Sequence, residues 1–458
     1  MRRIWRRFRM ELMPTLNLAW PVVAGELGWM AMGIVDTIFV GRLGAEAIGA
    51  VSIGNMLYFA VAVFGLGLLL GLDTLVSQAF GAGRRDECHR WLVQGVYLCL
   101  ILSPMVMGLL LASIPLLGRL GLHPSVLEGA VPFLRVQIWS TLPLLLFSAF
   151  RRYLQAMGVV KPVMFALISA NAINALGDWI LIYGNWGAPA MGVVGSGWST
   201  AIARAYMAAV VIGYALVADL RHPTGLIGVP LGLRPAQIGR LVALGLPAAV
   251  HVTLEVGVFA VATTLAGTLD PVALAAHHVV LDISSVTFMI PLGLATAGAV
   301  RVGQALGRGE PSAAGHAGWT ALALGAGFMA CAGLVFATVP GSLVSVFTTD
   351  PAVIATAGSL MIVAATFQLF DGLQGVSTGA MRGAGDTHTP MFCNLVAHWC
   401  IGLPIGYLLC FGAGLGVIGL WAGLAMGLAA AGVYLLAAWT RKARALARGE
   451  YVLVGVTD

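Results

Sequence analysis

The sequence predicts an all-α integral membrane protein with twelve transmembrane helices in two six-helix lobes related by internal duplication. Of the 458 residues, 59% are hydrophobic and 10% are charged, and the mean hydropathy is +0.92. The apolar runs are long enough for helices that cross a hydrocarbon core of about 30 Å, and they lack the alternating pattern of a membrane β-barrel. The second half of the chain also repeats the first.

Twelve apolar runs account for most of the chain. We place the spans at residues 14–40, 48–79, 91–114, 125–150, 162–183, 190–218, 237–266, 272–300, 314–338, 351–381, 389–411 and 415–440. Five arginines precede the first run, but that run is too long for a signal peptide and no small-residue cleavage site follows it. The basic segment is therefore interpreted as a cytoplasmic anchor.

The distribution of positive charge predicts the orientation, because cytoplasmic loops carry an excess of Lys and Arg. Alternate connections on one side, together with both tails, hold 21 of the 25 Lys and Arg residues, and the other side holds only Arg42 and Arg119. Arg135 and Arg204 fall inside predicted spans. We expect a multi-pass protein of the inner or plasma membrane with both termini cytoplasmic. The net charge of +6 then reflects topology, and no nucleic-acid partner is needed to explain it.

Sliding the sequence by 226 residues superposes Pro21 on Pro247 and "SQAFGAG" (77–83) on "GQALGRG" (303–309). Such self-similarity is typical of duplicated transporters, and six spans per copy give both copies the same direction in the membrane. The predicted organisation is a basic tail at 1–13, an N-lobe at 14–218, a cytoplasmic linker at 219–236, a C-lobe at 237–440 and a cytoplasmic tail at 441–458. Two such lobes leave a cleft that can open to either side.

The chain shows no sign of enzymatic or metal chemistry. Its six cysteines have no CxxC spacing, which predicts reduced, packed thiols without a disulfide framework or a metal site. Neither an HExxH motif nor a paired catalytic-acid motif is present in the sequence. We expect no enzyme activity and no cofactor.

Two carboxylates in the second copy lie within apolar spans, Glu255 in "HVTLEVGVFA" and Asp371 in "ATFQLFDGLQG". A lone carboxylate in hydrocarbon is costly, so it marks an ion or substrate path or else a structural hydrogen bond between helices. His251 precedes Glu255 by one turn on the same face and either tunes its proton or serves packing. Glu26, in the first span, is either a cavity-facing residue or a helix-packing contact.

The first copy has a polar set of its own near the predicted outer ends of its helices, formed by Asp36, Asn174, Asp178 and Thr200. Two carboxylates, an amide and a hydroxyl suit a proton or a small hard cation such as Na⁺, which needs oxygen ligands. An interhelical hydrogen-bond cluster is the alternative. The 226-residue shift places Ala262 opposite Asp36 and Trp29 opposite Glu255, so each copy has acquired its own acids.

Several ordered motifs give the chain a family resemblance. They are "LAWPVVAGELGWMAMGIVDTIFVGRLG", "SQAFGAG", "RRYLQAMGVVKPVM", "NALGDWILIYG", "GVVGSGWSTAIA" and "GAMRGAGDTHTPM". Together they resemble the multidrug and toxic compound extrusion (MATE) transporters, NorM-like branch, over essentially the whole chain. The resemblance implies twelve helices in two lobes and export of amphipathic organic cations in exchange for Na⁺ or H⁺.

By the same resemblance, Glu255 and Asp371 match C-lobe positions for cation and drug binding. The residues of the first copy match an N-lobe cation cluster, so which set couples transport stays open. The adjacent His277 and His278 have no counterpart in the family pattern.

We interpret the chain as a secondary active multidrug efflux transporter that works by alternating-access antiport and functions as a monomer in the bilayer. The main alternative is a lipid-linked oligosaccharide flippase of the same superfamily, which needs a basic cavity for pyrophosphate. The few intramembrane arginines argue against it. A passive channel is a further alternative, but separate acidic sites in duplicated lobes suit alternating access better.

Overall fold

The computed structural model describes residues 2–118 and 124–455, and Arg119 therefore lies outside the described residues, as do residues 456–458 of the predicted C-tail. In the described ranges all regular secondary structure is helical. The helices are α1 (Arg2–Gly41), α2 (Ala45–Leu68), α3 (Gly71–Gly81), α4 (Arg85–Leu117), α5 (Pro124–Trp139), α6 (Thr141–Ala156), α7 (Lys161–Tyr183), α8 (Val193–Arg221), α9 (Pro235–Gly267), α10 (Pro271–Gly307), α11 (Pro311–Thr338), α12 (Pro340–Val344), α13 (Pro351–Gly383), α14 (His388–Asn394), α15 (Leu403–Tyr407) and α16 (Gly416–Ala447).

Eleven helical segments of the described chain are long and apolar enough to cross a membrane. A twelfth is added if α5 and α6, which meet at a 47° bend, form one span. Ser140 stands at this bend, and its hydroxyl donates a 2.6 Å hydrogen bond to the carbonyl oxygen of Gln137. Such back-bonding by serine often accompanies a helix bend. The predicted all-α membrane fold is confirmed, and the predicted span at 125–150 corresponds to the bent pair.

Short sequence signals set the starts of two long helices. Asp270 and Asp350 each precede a proline, and their carboxylates accept 2.8 Å hydrogen bonds from the backbone N–H groups of Ala273 and Ala352. An acidic N-cap satisfies a free N–H group of the first turn, and proline at the first position fixes a helical φ without losing a hydrogen bond. These caps fix the beginnings of α10 and α13.

The segment that follows α13 is an irregular helix. His388–Gly412 is long and apolar enough to form one membrane span. Within it, Leu395–Gly402 and Leu408–Gly412 are π-helical. The wider π turn is rare in proteins, and many of the known examples lie at functional sites. We call Leu395–Gly402 the π segment.

The chain forms two compact units. The N-terminal unit contains Ala24–Ala249 and Gly455, and the C-terminal unit contains the chain up to Val23 together with Val250–Val454. The division therefore falls within α1 and α9, whereas the predicted lobes meet at the 219–236 linker. Pro21 and Pro247, which the 226-residue repeat relates, lie inside these two helices just before the points of division.

Small residues let the long helices of the C-terminal unit pack closely. Gly379 and Gly383 on α13 lie directly against the backbone of Ala295 and Ala299 on α10. Any side chain at either glycine would collide with that backbone. Close packing of small residues is the usual means of association between helices in a bilayer, and it holds α13 in place for the acidic residue that it carries.

Candidate functional site

The N-terminal unit brings together the polar side chains predicted in the first copy. Asp36 on α1 accepts two hydrogen bonds, one of 2.9 Å from the side-chain amide of Asn174 on α7 and one of 3.1 Å from the hydroxyl of Thr200 on α8. Asp178, one turn after Asn174, lies beside Asp36 and interacts with it electrostatically. All four residues are buried. With Ser199, they form what we call the N-terminal cluster.

Ser199 is a member of this cluster that the sequence did not single out. Its hydroxyl donates a 2.6 Å hydrogen bond to the backbone oxygen of Asn174 and lies 3.2 Å from the amide nitrogen of the same residue. A Cβ atom at Gly177 would lie 2.6 Å from the Ser199 hydroxyl oxygen, so glycine is required for α7 and α8 to approach here. Ser199 could have been predicted as a cluster member, because it directly precedes Thr200 in the "GSGWST" motif.

The N-terminal cluster has more oxygen acceptors than donors. Within the described residues, the side-chain oxygen of Asn174 and the hydroxyl of Ser196 are buried without a hydrogen-bond partner. The carboxylate oxygens of Asp178 make no close hydrogen bond, although Asp36 and Ser199 both interact with this carboxyl group. Buried polar atoms normally have partners, so each orphaned atom requires an explanation such as a water or an ion. A proton on one carboxyl group or a small hard cation would satisfy this surplus of oxygens.

Arg204 of the N-terminal unit contacts several neighbouring side chains. Arg204 donates to the side-chain oxygen of Gln137 at 2.8 Å and to the hydroxyl of Ser140 at 2.6 Å, and its guanidinium lies 4.5 Å from the centre of the Tyr58 ring. Arg204 also contributes positive charge near Asp36. Its hydrogen bonds and ring contact hold it in a fixed position beside the cluster.

Glu26, which the sequence left between two interpretations, forms an ion pair with Arg151 of α6 in the N-terminal unit. Both side chains are almost fully buried. Asp73 of α3 forms a similar pair with Arg152, with 3.3 Å between the charged atoms. The structure therefore places Glu26 in a contact between helices and outside the N-terminal cluster.

The C-terminal unit contains both acids predicted in the second copy. Glu255 and Asp371 lie in the middle of the 33-residue helices α9 and α13. The two carboxylates interact electrostatically. Both side chains are half-buried, in contrast to the enclosed acids of the N-terminal unit.

Two amides accompany these acids. The side-chain amide of Gln374 lies 3.2 Å from a carboxylate oxygen of Glu255 and 3.3 Å from the side-chain oxygen of Asn394, at the end of α14. We call Glu255, Asp371, Gln374 and Asn394 the C-terminal cluster. The two amides were missed from sequence because Gln and Asn in a span carry no charge signal, although Gln374 follows Asp371 by one turn.

The three histidines noted in the sequence have different surroundings. His251 is buried one turn before Glu255, close enough to Arg382 and His398 to interact electrostatically. The Nδ1 atom of His277 accepts a 3.0 Å hydrogen bond from the indole of Trp421, and its other ring nitrogen lies 2.8 Å from the hydroxyl of Thr263. His277 therefore has a structural contact, and the neighbouring His278 is exposed.

The chain matches a family model twice. The MatE model matches residues 21–180 and 247–408. The two matches begin at residues 21 and 247, which reproduces the 226-residue shift of the sequence comparison. The predicted internal duplication is thereby confirmed.

Curated relatives are similar along nearly the whole chain. A probable multidrug resistance protein NorM of Mesorhizobium japonicum is 36% identical over 448 residues, covering 96% of this chain and 95% of the relative. A probable multidrug resistance protein NorM of Xanthomonas campestris is 35% identical, covering 97% of each chain.

Solved structures share the fold. The eukaryotic MATE transporter AtDTX14 superposes with a TM-score of 0.85 at 22% identity, covering 97% of this chain and all of that one. An outward-facing multidrug resistance MATE transporter of the MOP superfamily superposes with a TM-score of 0.85 at 17% identity, covering 95% of this chain and 96% of that one.

Proposed function

Because the chain belongs to the MatE family, as its two model matches and its curated relatives show, we propose that it is a multidrug efflux transporter driven by an ion gradient. Its cargo is an amphipathic organic cation, and the coupling ion is Na⁺ or H⁺. The family consists of transporters and not of enzymes. We place the protein as a monomer in the inner or plasma membrane, with both termini in the cytoplasm.

One observation carries this proposal: two acidic clusters of different construction lie within apolar helices that are long enough to span a membrane. An ionisable group at membrane depth is costly and by default marks an ion or substrate path. A structural role for every acid would leave the oxygen surplus of the N-terminal cluster unexplained.

The N-terminal cluster suits the coupling ion. Asp36 and Asp178 bring two carboxyl groups together, and Asn174 and Thr200 add an amide oxygen and a hydroxyl. Such oxygens bind a proton on a carboxylate or a hard cation directly. A dehydrated ion is small enough for this enclosed site, whereas a multidrug substrate is not.

The C-terminal cluster suits the positive group of an organic cation. Glu255 and Asp371 keep accessible surface, and one aromatic side chain, Trp399, packs against the turn of α9 that contains Glu255. The indole of Trp399 packs 3.2 Å from the position that a Cβ atom of Gly257 would take, and it donates a 3.0 Å hydrogen bond to the backbone oxygen of Leu254. An aromatic face next to carboxylates favours a cation that carries apolar groups.

Antiport follows if the ion at one acidic cluster and the cargo at the other stabilise different conformations. An empty carboxylate in a low-dielectric environment gains free energy by taking up either cation. A ligand that prefers one of two conformations shifts the population toward it, so alternating occupancy can drive alternating access. We propose that each acidic cluster is neutralised in turn during the cycle.

The rival flippase function requires unpaired positive charge for a pyrophosphate group. In the described part of the N-terminal unit, Arg151 and Arg152 are paired with acids and Arg204 is held by Gln137 and Ser140. The charged residues of the C-terminal cluster are acidic. This charge pattern favours cationic cargo.

The deciding experiment uses proteoliposomes loaded with a fluorescent organic cation. Efflux is measured under a Na⁺ gradient and under a pH gradient separately, each at zero membrane potential. We expect one gradient to drive efflux, which identifies the coupling ion. Asp36→Asn should abolish gradient-driven efflux. Glu46→Gln, at an exposed acid at the start of α2, serves as the matched control. If neither gradient moves the dye, the proposed function is wrong.

A further inference from the structure

Two buried histidines of the C-terminal unit lack the contacts that an imidazole requires. His251 on α9 is 6% exposed and His398 on the π segment is 1% exposed. Among the described residues, no hydrogen-bond partner reaches Nε2 of His251, and the ring nitrogens of His398 make no close hydrogen bond, although the backbone of Asn394 interacts with this ring. A buried imidazole offers a donor and an acceptor, and leaving them unmet costs free energy. Internal water is the partner that such a site normally holds.

The two imidazoles lie in the same part of the unit as the C-terminal cluster. His251 is one turn from Glu255 on α9, and His398 is four residues after Asn394 at the beginning of the π segment. The two histidines interact electrostatically. The side-chain oxygen of Gln374 and the side-chain nitrogen of Asn394 also lack partners in the described chain. These atoms add donors and acceptors for water next to the carboxylate of Glu255.

A line of hydroxyl groups continues from Gln374 along α13. Ser377 and Thr378 follow by one turn, and their buried hydroxyl oxygens have no partner among the described residues. Arg382, one turn further, interacts electrostatically with His251. The polar line thus runs from Glu255 toward the ends of α9 and α13 that carry Arg240 and Arg382.

The charges around the imidazoles come from two helices. On α13, Arg382 interacts electrostatically with His251, and Asp371 interacts with Glu255, which lies on the same helix as His251. Helix α16 packs against the π segment through Gly427, whose Cβ position lies 3.0 Å from the Cα atom of Gly402. Glycine allows that close approach and adds no competing hydrogen-bond donor.

We propose that His251 and His398, with water held between them and the hydroxyls of Ser377 and Thr378, form a relay that carries protons to and from Glu255. An excess proton on water moves to one ring nitrogen while the opposite ring nitrogen releases its own proton through the next water to the Glu255 carboxylate. The imidazole stays neutral as its other tautomer, and proton release from Glu255 along the same path restores the first tautomer. No oxidant or further reactant is needed. The relay rests on the proposed function, because it renews the charge state of a carboxylate that binds the organic cation.

The test measures the proton exchange of Glu255 directly, without any cargo. The carbonyl-stretch band of its carboxyl group is identified by its loss in Glu255→Gln, and its rate of change is followed by infrared spectroscopy after a pH jump in lipid-reconstituted protein. A positioned proton-transfer group contributes about 100-fold or more to a rate. We therefore expect His398→Ala and His251→Ala each to slow the exchange by roughly 100-fold. His278→Ala, at an exposed histidine of the same unit, should leave it unchanged.

Chemical rescue separates a relay from a packing role. Imidazole added to His398→Ala should restore the exchange rate in proportion to its concentration, whereas cyclopentene, which fills similar space but carries no proton, should not. A rate within about twofold of the unchanged protein in both alanine variants contradicts the relay, given the expected size of the effect. Slow exchange that imidazole does not restore also contradicts it, because the defect is then structural.

The outcome is independent of the transport assay. If the protein moves no organic cation but the histidine variants slow the exchange and imidazole restores it, the relay stands and the proposed function fails. If dye efflux is intact and the exchange rate is unaffected by either variant, the relay fails and the proposed function stands.

Discussion

The two acidic clusters place the same chemical group in very different surroundings. In the N-terminal cluster, Asp36 is enclosed and held by hydrogen bonds from two other helices. In the C-terminal cluster, Glu255 is half-buried and has hydrogen-bond contact with only Gln374 among the described residues. Enclosure selects a small ligand through fixed geometry, whereas open surface accepts ligands of varied shape. Burial and donor number, and not residue type, therefore distinguish the two clusters, and in the proposed function these two properties determine which ligand each cluster binds.

Asp36→Asn should have the largest effect, because it removes the charge on which both hydrogen bonds of the N-terminal cluster converge. We expect gradient-driven efflux to fall to the level of empty liposomes, while the purified variant still binds the organic cation, because the carboxylates assigned to the cargo lie in the C-terminal cluster. Efflux assays and fluorescence anisotropy measure the two quantities. Retained efflux would remove the ion-binding role assigned to this cluster.

Glu26→Gln should act on stability instead of ion binding. Removing one partner of a buried ion pair leaves the other charge unpaired and costs about 3–5 kcal/mol. We expect a clear fall in the thermal transition of the purified protein, measured by loss of monodisperse protein on heating, with the coupling ion still required for efflux. The double variant Glu26→Gln/Arg151→Gln should recover part of the loss. A stable Glu26→Gln protein that has lost coupling would assign Glu26 to the ion path.

Glu255→Gln should weaken binding of the organic cation while leaving the N-terminal cluster intact. A hydrogen bond or contact to a charged group is worth about 1.5–3 kcal/mol, so the dissociation constant should rise by roughly 10- to 100-fold. Fluorescence anisotropy with the same dye measures it. Unchanged affinity in both this variant and Asp371→Asn would show that the cargo binds outside the C-terminal cluster.

Much of the site could be predicted from sequence because the signal was charge within apolar helices. Asp36 and Asp178 stood out for that reason, and Asn174 and Thr200 were added as neighbouring oxygen ligands; the structure brings all four together. Gln374, Asn394 and His398 did not stand out, because uncharged polar residues in a span are common. Their contacts depend on the packing of α13 against the segment that begins at His388.

The unit boundaries also required the tertiary structure. A linker rich in charge, glycine and proline predicts where two bundles join along the chain, but it does not show which bundle each half of a long helix packs against. The first part of α1 belongs to the C-terminal unit and the first part of α9 to the N-terminal unit. Pro21 and Pro247 were visible as repeat-related residues, yet their place near these divisions was not.

The sequence by itself determined the membrane class, the duplication and the residues that carry charge into the bilayer. Hydrophobicity, repetition and charge can all be read from the order of residues along the chain. Only the tertiary structure decided which acids are enclosed, which keep accessible surface and which, like Glu26, are neutralised by a partner. Those differences depend on distances between helices that are far apart in sequence, and such distances follow from how side chains pack together.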